Sequence, residues 1–149
     1  MATVVDELVY QHGALPFAIG GNGEIRVLLV TTRGRGDWII PKGWPIRGLT
    51  AAATAAREAF EEAGVIGNIV GDKPVGFYRY EKQRTSRRVI TCEVTVFLLA
   101  VERQLRKWPE KSQRDTRWFA PADAMKVIAT ASLAEVLRDA VGLMLANVG

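Results

Sequence analysis

Cysteine and histidine are almost absent from this sequence: Cys92 and His12 are their only representatives. A single thiol excludes an intramolecular disulfide and fits a reducing compartment, here taken as the cytoplasm. With His12 remote in sequence, Cys92 reads as a small buried hydrophobe and not as a nucleophile. No apolar stretch reaches the length of a membrane span. Met1 to Tyr10 carries Asp6 and Glu7 where a secretory signal would have a basic region followed by an apolar run, so no signal is expected. Internal repeats, low-complexity segments and a Pro/Gly-rich linker are also missing, so one domain over 1–149 is expected. What is present suits a folded core, because 48% of the 149 residues are apolar. The net charge is +4. That excess favours an anionic ligand only slightly, so where the charges stand matters more than their sum.

Ala14 to Ile19 reads as a strand, ending at the turn signal Gly20-Gly21-Asn22-Gly23. Residues 24–32 carry Ile25, Val27, Leu28, Leu29 and Val30, a strand buried on both faces. A loop with Arg33, Arg35 and Asp37 leads to the short strand Trp38-Ile39-Ile40. Further strands are expected over 66–70, 75–81 and 89–101. In the last, Ile90, Cys92, Val94, Val96, Leu98 and Ala100 form an unbroken apolar face. Lys82 to Arg88 reads as the polar turn of a hairpin, 102–115 as a charged loop and 117–119 as a strand. Pro121 opens a helical turn through Ile128. A final helix is expected near Ser132, where Ser132 and Glu135 would make a capping box, with Leu133, Val136, Leu137, Ala140, Met144 and Leu145 facing the core. Mixed strands with one central and one terminal helix imply an α/β/α sandwich.

The densest pattern lies between Gly43 and Val65. Ala52, Ala56, Ala59, Phe60 and Ala63 recur at helical spacing, with Thr50 as N-cap and Gly64 as the left-handed terminator. Glu58, Glu61 and Glu62 stand at i, i+3 and i+4, so their carboxylates share one face. Three like charges so placed repel one another unless a cation joins them, and hard divalent ions such as Mg²⁺ take oxygen ligands of this kind.

This stretch resembles the Nudix box, whose pattern is Gly-x5-Glu-x7-Arg-Glu-aliphatic-x-Glu-Glu-x-Gly-aliphatic. Gly43, Arg57, Glu58, Ala59, Glu61, Glu62, Gly64 and Val65 fall in register, and Leu49 replaces the first Glu. The resemblance implies the Nudix α/β/α sandwich with a mixed β-sheet, the box forming a loop, helix and loop. It also implies hydrolysis of a phosphoanhydride with Mg²⁺ or Mn²⁺. Glu58 and Glu62 would be the primary metal ligands, with Glu61 a further ligand or the base, Arg57 orienting the carboxylates and the Gly43 carbonyl facing the metal. Some members of that family take the base from a separate loop or strand; Glu93 on the long strand and Glu110 and Asp115 in the late loop are the candidates here, and ordinary solvation is the preferred reading for all three. Leu49 puts the geometry of the loop before the helix in question more than it does the chemistry.

Two basic groups are placed to hold phosphates. Arg33, Arg35, Lys42 and Arg47 bracket the entrance to the box, and Lys42 leads directly into it. Lys82, Arg84, Arg87 and Arg88 cluster at the hairpin, where basic residues also serve to protect an edge. Trp38 and Trp118 read as core, whereas Trp44 is placed either to stack on a base or to pack against the box loop. The run from Trp38 to Trp44, the run from Gly76 to Lys82 and Arg117-Trp118-Phe119 resemble the diphosphoinositol polyphosphate phosphohydrolase group. A diphosphoinositol polyphosphate or a diadenosine polyphosphate is therefore the expected substrate, an anionic phosphorylated small molecule. RNA 5′-pyrophosphate or another nucleoside diphosphate is the alternative, and the only nucleic acid expected. A non-catalytic nucleotide- or RNA-binding module of the same fold would be expected to have lost box carboxylates, and all three are retained.

Overall fold

In the computed structural model, residues 4–146 are described. The ends of the expected domain, 1–3 and 147–149, lie outside the described residues. Strands β1 (Val4–Ile19), β2 (Ile25–Thr31), β3 (Trp38–Ile39) and β4 (Lys42–Gly43) precede helix α1 (Ala51–Ala63). Then come β5 (Val65–Ile69), β6 (Gly76–Thr85), β7 (Arg88–Gln104), β8 (Thr116–Phe119), α2 (Pro121–Val127) and α3 (Ala131–Ala146). The strands form one mixed sheet in the order β3-β2-β1-β7-β5, with β4 against β1, β6 against β7 and β8 against β2. Among the described residues, no helix is long and apolar enough to cross a membrane.

Alternate side chains of the central strands enter two cores, so the sheet is covered on both faces. Leu15, Phe17, Val27, Leu29, Val94, Val96 and Leu98 pack with α2 and α3. Ala14, Leu28, Val30, Phe97 and Leu99 pack with the alanines of α1. The expected sandwich is therefore present, and β2 is buried on both sides as its composition requires. Ile90, Cys92, Val94, Val96 and Leu98 are fully buried. Cys92 lies beside Tyr80, while His12 bonds Thr95 on the alternate-residue face of the sheet, so thiol and imidazole do not meet.

Several elements differ from the sequence reading. The first strand begins ten residues earlier than Ala14 and runs parallel to β7, from Val4 opposite Arg88 to Phe17 opposite Ala100. The hairpin is longer than expected: Lys82 to Thr85 continue β6, and only 86–87 form the turn. Strand β7 extends through 102–104, which had read as loop. Helix α3 starts at Ala131, with the Thr130 carbonyl accepting from Leu133 and Ala134, so Ser132 lies inside the first turn and donates to the Arg79 carbonyl instead of making a capping box. Leu145 is half exposed and outside the buried stripe. On α1 the buried positions are Thr54, Ala55, Ala59, Glu62 and Ala63; Ala56 and Phe60 turn to a side groove. Trp38 packs edge-on against Phe119, and Trp118 stays partly open, its indole donating to Gln104.

Candidate active site

The box helix forms because a run of alanines with high helix propensity is stopped cleanly at both ends. The Thr50 hydroxyl accepts from the Ala53 amide, and Gly64 closes the helix at φ 70° with its N–H on the Phe60 carbonyl. The carbonyls that an α-helix leaves unpaired at its C-terminus all find donors from one segment. Glu110 N–H reaches Glu61 O at 3.0 Å, the Trp108 indole reaches Glu62 O at 3.2 Å, Gln104 reaches Ala63 O at 3.0 Å and Leu105 N–H reaches Gly64 O at 2.7 Å. The segment after β7 thus wraps the end of the helix that carries the carboxylates.

Glu58, Glu61 and Glu62 border one cleft of about 510 Å³ with Lys42, Gly43 and Glu110. Arg33, Lys82, Arg114 and the exposed Trp44 complete its rim. Glu62 is 3% exposed, and its Oε1 is buried without a hydrogen-bond partner. Its Oε2 lies 3.8 Å from the guanidinium of Arg114. Burial pushes the Glu62 carboxyl up to about 8; Arg114 opposes that rise and Glu58 adds to it. Glu58 is likewise raised, by burial first and by Glu61 second. A Cβ at Gly43 would come within 2.4 Å of the Glu58 carboxyl, so only glycine leaves room for that carboxylate.

Across the cleft the Lys42 ammonium donates to the Tyr80 hydroxyl at 2.9 Å, 4.5 Å from the centre of the ring, and Tyr80 donates on to Gln11 at 2.7 Å. An ammonium carries three N–H groups, and this chain fixes the direction of one. Burial lowers the Lys42 pKa, with Glu62 acting against that shift. Arg114 is held on three sides: Nε to Glu110 at 2.9 Å, Nη1 to the Thr31 carbonyl at 3.1 Å and Nη2 toward Glu62.

The structure thus brings together Glu58, Glu61, Glu62, Gly43, Lys42, Arg33 and Lys82. Arg57 pairs with Glu61 at 3.8 Å from outside the cleft. Arg35 borders a neighbouring cavity, and Arg84 sits at the bulge in β6, outside the cleft. Of the further acids, Glu110 lines the cleft, Glu93 is paired with Arg79 away from it and Asp115 borders the neighbouring cavity. Leu49 lies with Ala53, Ala56 and Phe60 in the side groove, not with the carboxylates. Gln11, Tyr80 and Arg114 escaped the sequence reading. The Glu110/Arg114 spacing of four was the one local signal for the last of them.

Among the described residues, no three acidic, His or Cys side chains converge tightly enough to enclose an ion as they stand. The donor set nevertheless fits a hard divalent cation: two adjacent glutamates, one with an unsatisfied buried oxygen, face a space that glycine keeps open.

Comparison with known proteins shows the family and the fold. A "NUDIX domain" family model matches residues 10–140. "Nudix hydrolase 12, mitochondrial" from Arabidopsis thaliana is 32% identical over 107 residues, covering 70% of this chain and 52% of that protein. "Diphosphoinositol polyphosphate phosphohydrolase 3-alpha" from Mus musculus is 32% identical over 108 residues, covering 70% of this chain and 61% of its own length. The chain spans about half the length of the first of these relatives. In fold it resembles a C. elegans Ap4A hydrolase binary complex, with a TM-score of 0.68 at 20% identity over 93% of this chain and 98% of that one. The chain belongs to the NUDIX domain family.

Proposed function

We propose that this protein hydrolyses a phosphoanhydride in an anionic, phosphorylated small molecule with the help of Mg²⁺ or Mn²⁺, acting as one domain over 1–149 in the cytoplasm. The observation that carries the reading is Glu62: a buried carboxylate with a free oxygen, set beside Glu58 and opposite Lys42. A carboxyl left in that condition is costly unless a cation completes it. The cleft carries both signs of charge: Glu58, Glu61, Glu62 and Glu110 line it together with Arg33, Lys42, Lys82 and Arg114, the last already paired with Glu110. A polyphosphate entering alone would meet the carboxylates and be repelled; with a divalent ion the charges match.

Glu58 and Glu62 would hold the metal, with Glu61 or the Gly43 carbonyl in support. When bound, the ion supplies charge neutralisation at the phosphates and a lower pKa for its water. Glu61, held by Arg57, accepts the proton of the attacking water. Lys42, directed by Tyr80 and Gln11, and Arg33 and Lys82 at the rim bind the phosphate oxygens. Diphosphoinositol polyphosphates and diadenosine polyphosphates both suit so polar a cleft, and relatives or neighbours named for each are similar to this chain. Trp44, 41% exposed at the rim, favours a nucleotide as the second reading, because a base can stack there. RNA 5′-pyrophosphate belongs with that reading.

The test is phosphate release from a panel of diphosphoinositol polyphosphate, diadenosine polyphosphates, ADP-ribose and RNA 5′-triphosphate with Mg²⁺ or Mn²⁺. Turnover is expected to vanish with EDTA, and Glu62→Gln is expected to lower kcat by about 10²-fold or more. Wild-type turnover by Glu62→Gln would overturn the assignment.

A further inference from the structure

Where β1, β7 and β6 run side by side, one face of the sheet is filled and the other is open. Gln11, Tyr78, Cys92 and Val94 are buried on the first. On the second, α1 covers the strands only from the level at which Ala14 stands beside Phe97. Short of that level Tyr10 stands beside Glu93 and Glu93 beside Arg79, with Leu8 at the level of Thr91 and Phe77 at that of Thr95. A solvated sheet face carries polar side chains at its alternate positions. Here three of those positions hold Leu8, Tyr10 and Phe77, which are 39%, 52% and 59% exposed.

Three strands about 4.8 Å apart, over five or six residues of about 3.3 Å each, make a surface of about 250–300 Å². Open apolar patches that large on a folded domain mark interaction sites. The charges on the face decide the kind of partner. Arg79 gives Nε and Nη2 to Glu93 Oε1, both at 2.9 Å, and Glu81 adds a further acid. The face thus holds more acid than base in a chain of net charge +4, and would repel a nucleic acid or an anionic membrane. It is complementary to itself. A two-fold axis along β7 lays β1 of one copy over β6 of the other. The Tyr10 ring of each copy then meets the Arg79 guanidinium of the other. Glu93 holds that guanidinium by its edge, and with the Arg79 side chain 56% exposed its flat side is open to a ring.

We propose that the open face of β1, β7 and β6 is the interface of a reversible homodimer, in which two sheets pack face to face through Leu8, Tyr10, Phe77 and Arg79. Its area lies below that of a standard stable interface, so the association is weak and depends on concentration. None of these four residues borders the cleft, so both clefts stay open in the dimer and the inference does not rest on the hydrolase reading.

Sedimentation velocity of the full chain from about 10 µM to about 1 mM, the range suited to so small an interface, should show the sedimentation coefficient rising from that of a monomer toward that of a dimer. Phe77→Asp puts a charge into the apolar contact, and Tyr10→Arg sets two guanidinium groups against each other. Each should weaken the dimer by about tenfold or more. Leu145→Asp, at a half-exposed position of α3 outside the face, should leave it unchanged. Melting temperatures confirm that the variants fold. A monomer at every concentration overturns the proposal. So does a dimer that neither face variant weakens, or one that Leu145→Asp weakens as much as they do. A chain that stays monomeric but binds a single-stranded RNA oligomer through Tyr10 and Phe77 also overturns it, and gives the face to a nucleic acid.

Discussion

Glu62 is the residue on which most of the site's electrostatics turn. Its folded value of about 8, against 4.5 for an unperturbed glutamate, means that the metal-free protein keeps a proton at neutral pH which the unfolded chain has released. Stability therefore falls as pH rises through that window: the native carboxyl is comfortable below 4.5, and above about 8 it must ionise inside the fold. Each pH unit inside the window costs about 1.4 kcal/mol. The expected outcome, in EDTA, is a urea midpoint that drops between about pH 5 and pH 9 in wild type and is markedly flatter in Glu62→Gln, since the amide carries no proton to lose. Parallel pH profiles for the two proteins would show that the carboxyl is not strained by burial. Arg114 limits the strain without removing it, because at 3.8 Å from Oε2 it is also shared with Glu110 and the Thr31 carbonyl.

At the scale of one element, α1 places its carboxylates near the end where the helix dipole is negative, with no basic residue in its last turn. That is unfavourable unless the terminal carbonyls are well satisfied, and residues 104–110 satisfy them. Gly64 serves twice here. Its φ of 70° is left-handed, and a Cβ would fall 2.2 Å from the Trp108 ring, whose indole bonds the Glu62 carbonyl. Gly64→Ala should therefore cost about 2–4 kcal/mol, the sum of about 1–2 for the backbone and the rest for displacing the indole. Gly71→Ala is the control, since Gly71 has φ 77° with nothing within 4 Å of the added Cβ; it should show the backbone part alone. Urea denaturation of both variants checks this, and equal losses would mean that Trp108 does not seal the helix end.

Across the whole molecule, what was legible in the sequence is what local chemistry decides. Thr50, the alanine run and Gly64 define α1 without outside help, and the alternation from Ile90 to Leu98 fixes the core face of β7. The first half of β1 was not legible because its partner is a parallel strand some eighty residues away, and its polar members Gln11 and His12 gain their meaning only from Tyr80 and Thr95 across the sheet. Arg114 was hidden for the same reason, and Glu110, a candidate from sequence, read as merely solvated, because a charged loop reads as solvated until it is seen folded over the end of α1. These long-range contacts converge on the carboxylates, so occupancy of the cleft should be felt by the entire fold. A ligand that binds only the native state at about a hundred times its Kd adds about 2.7 kcal/mol. For a protein of this size that corresponds to a rise in Tm of about 5–10 °C. Mn²⁺ or Mg²⁺ is therefore expected to raise the Tm by that amount, more at about pH 8 than at about pH 6, because binding must expel the proton that burial keeps on Glu62. Differential scanning calorimetry with and without metal checks both the shift and its pH dependence. A Tm that metal leaves unchanged, or a shift of equal size in Glu62→Gln, would place the ion somewhere other than between Glu58 and Glu62.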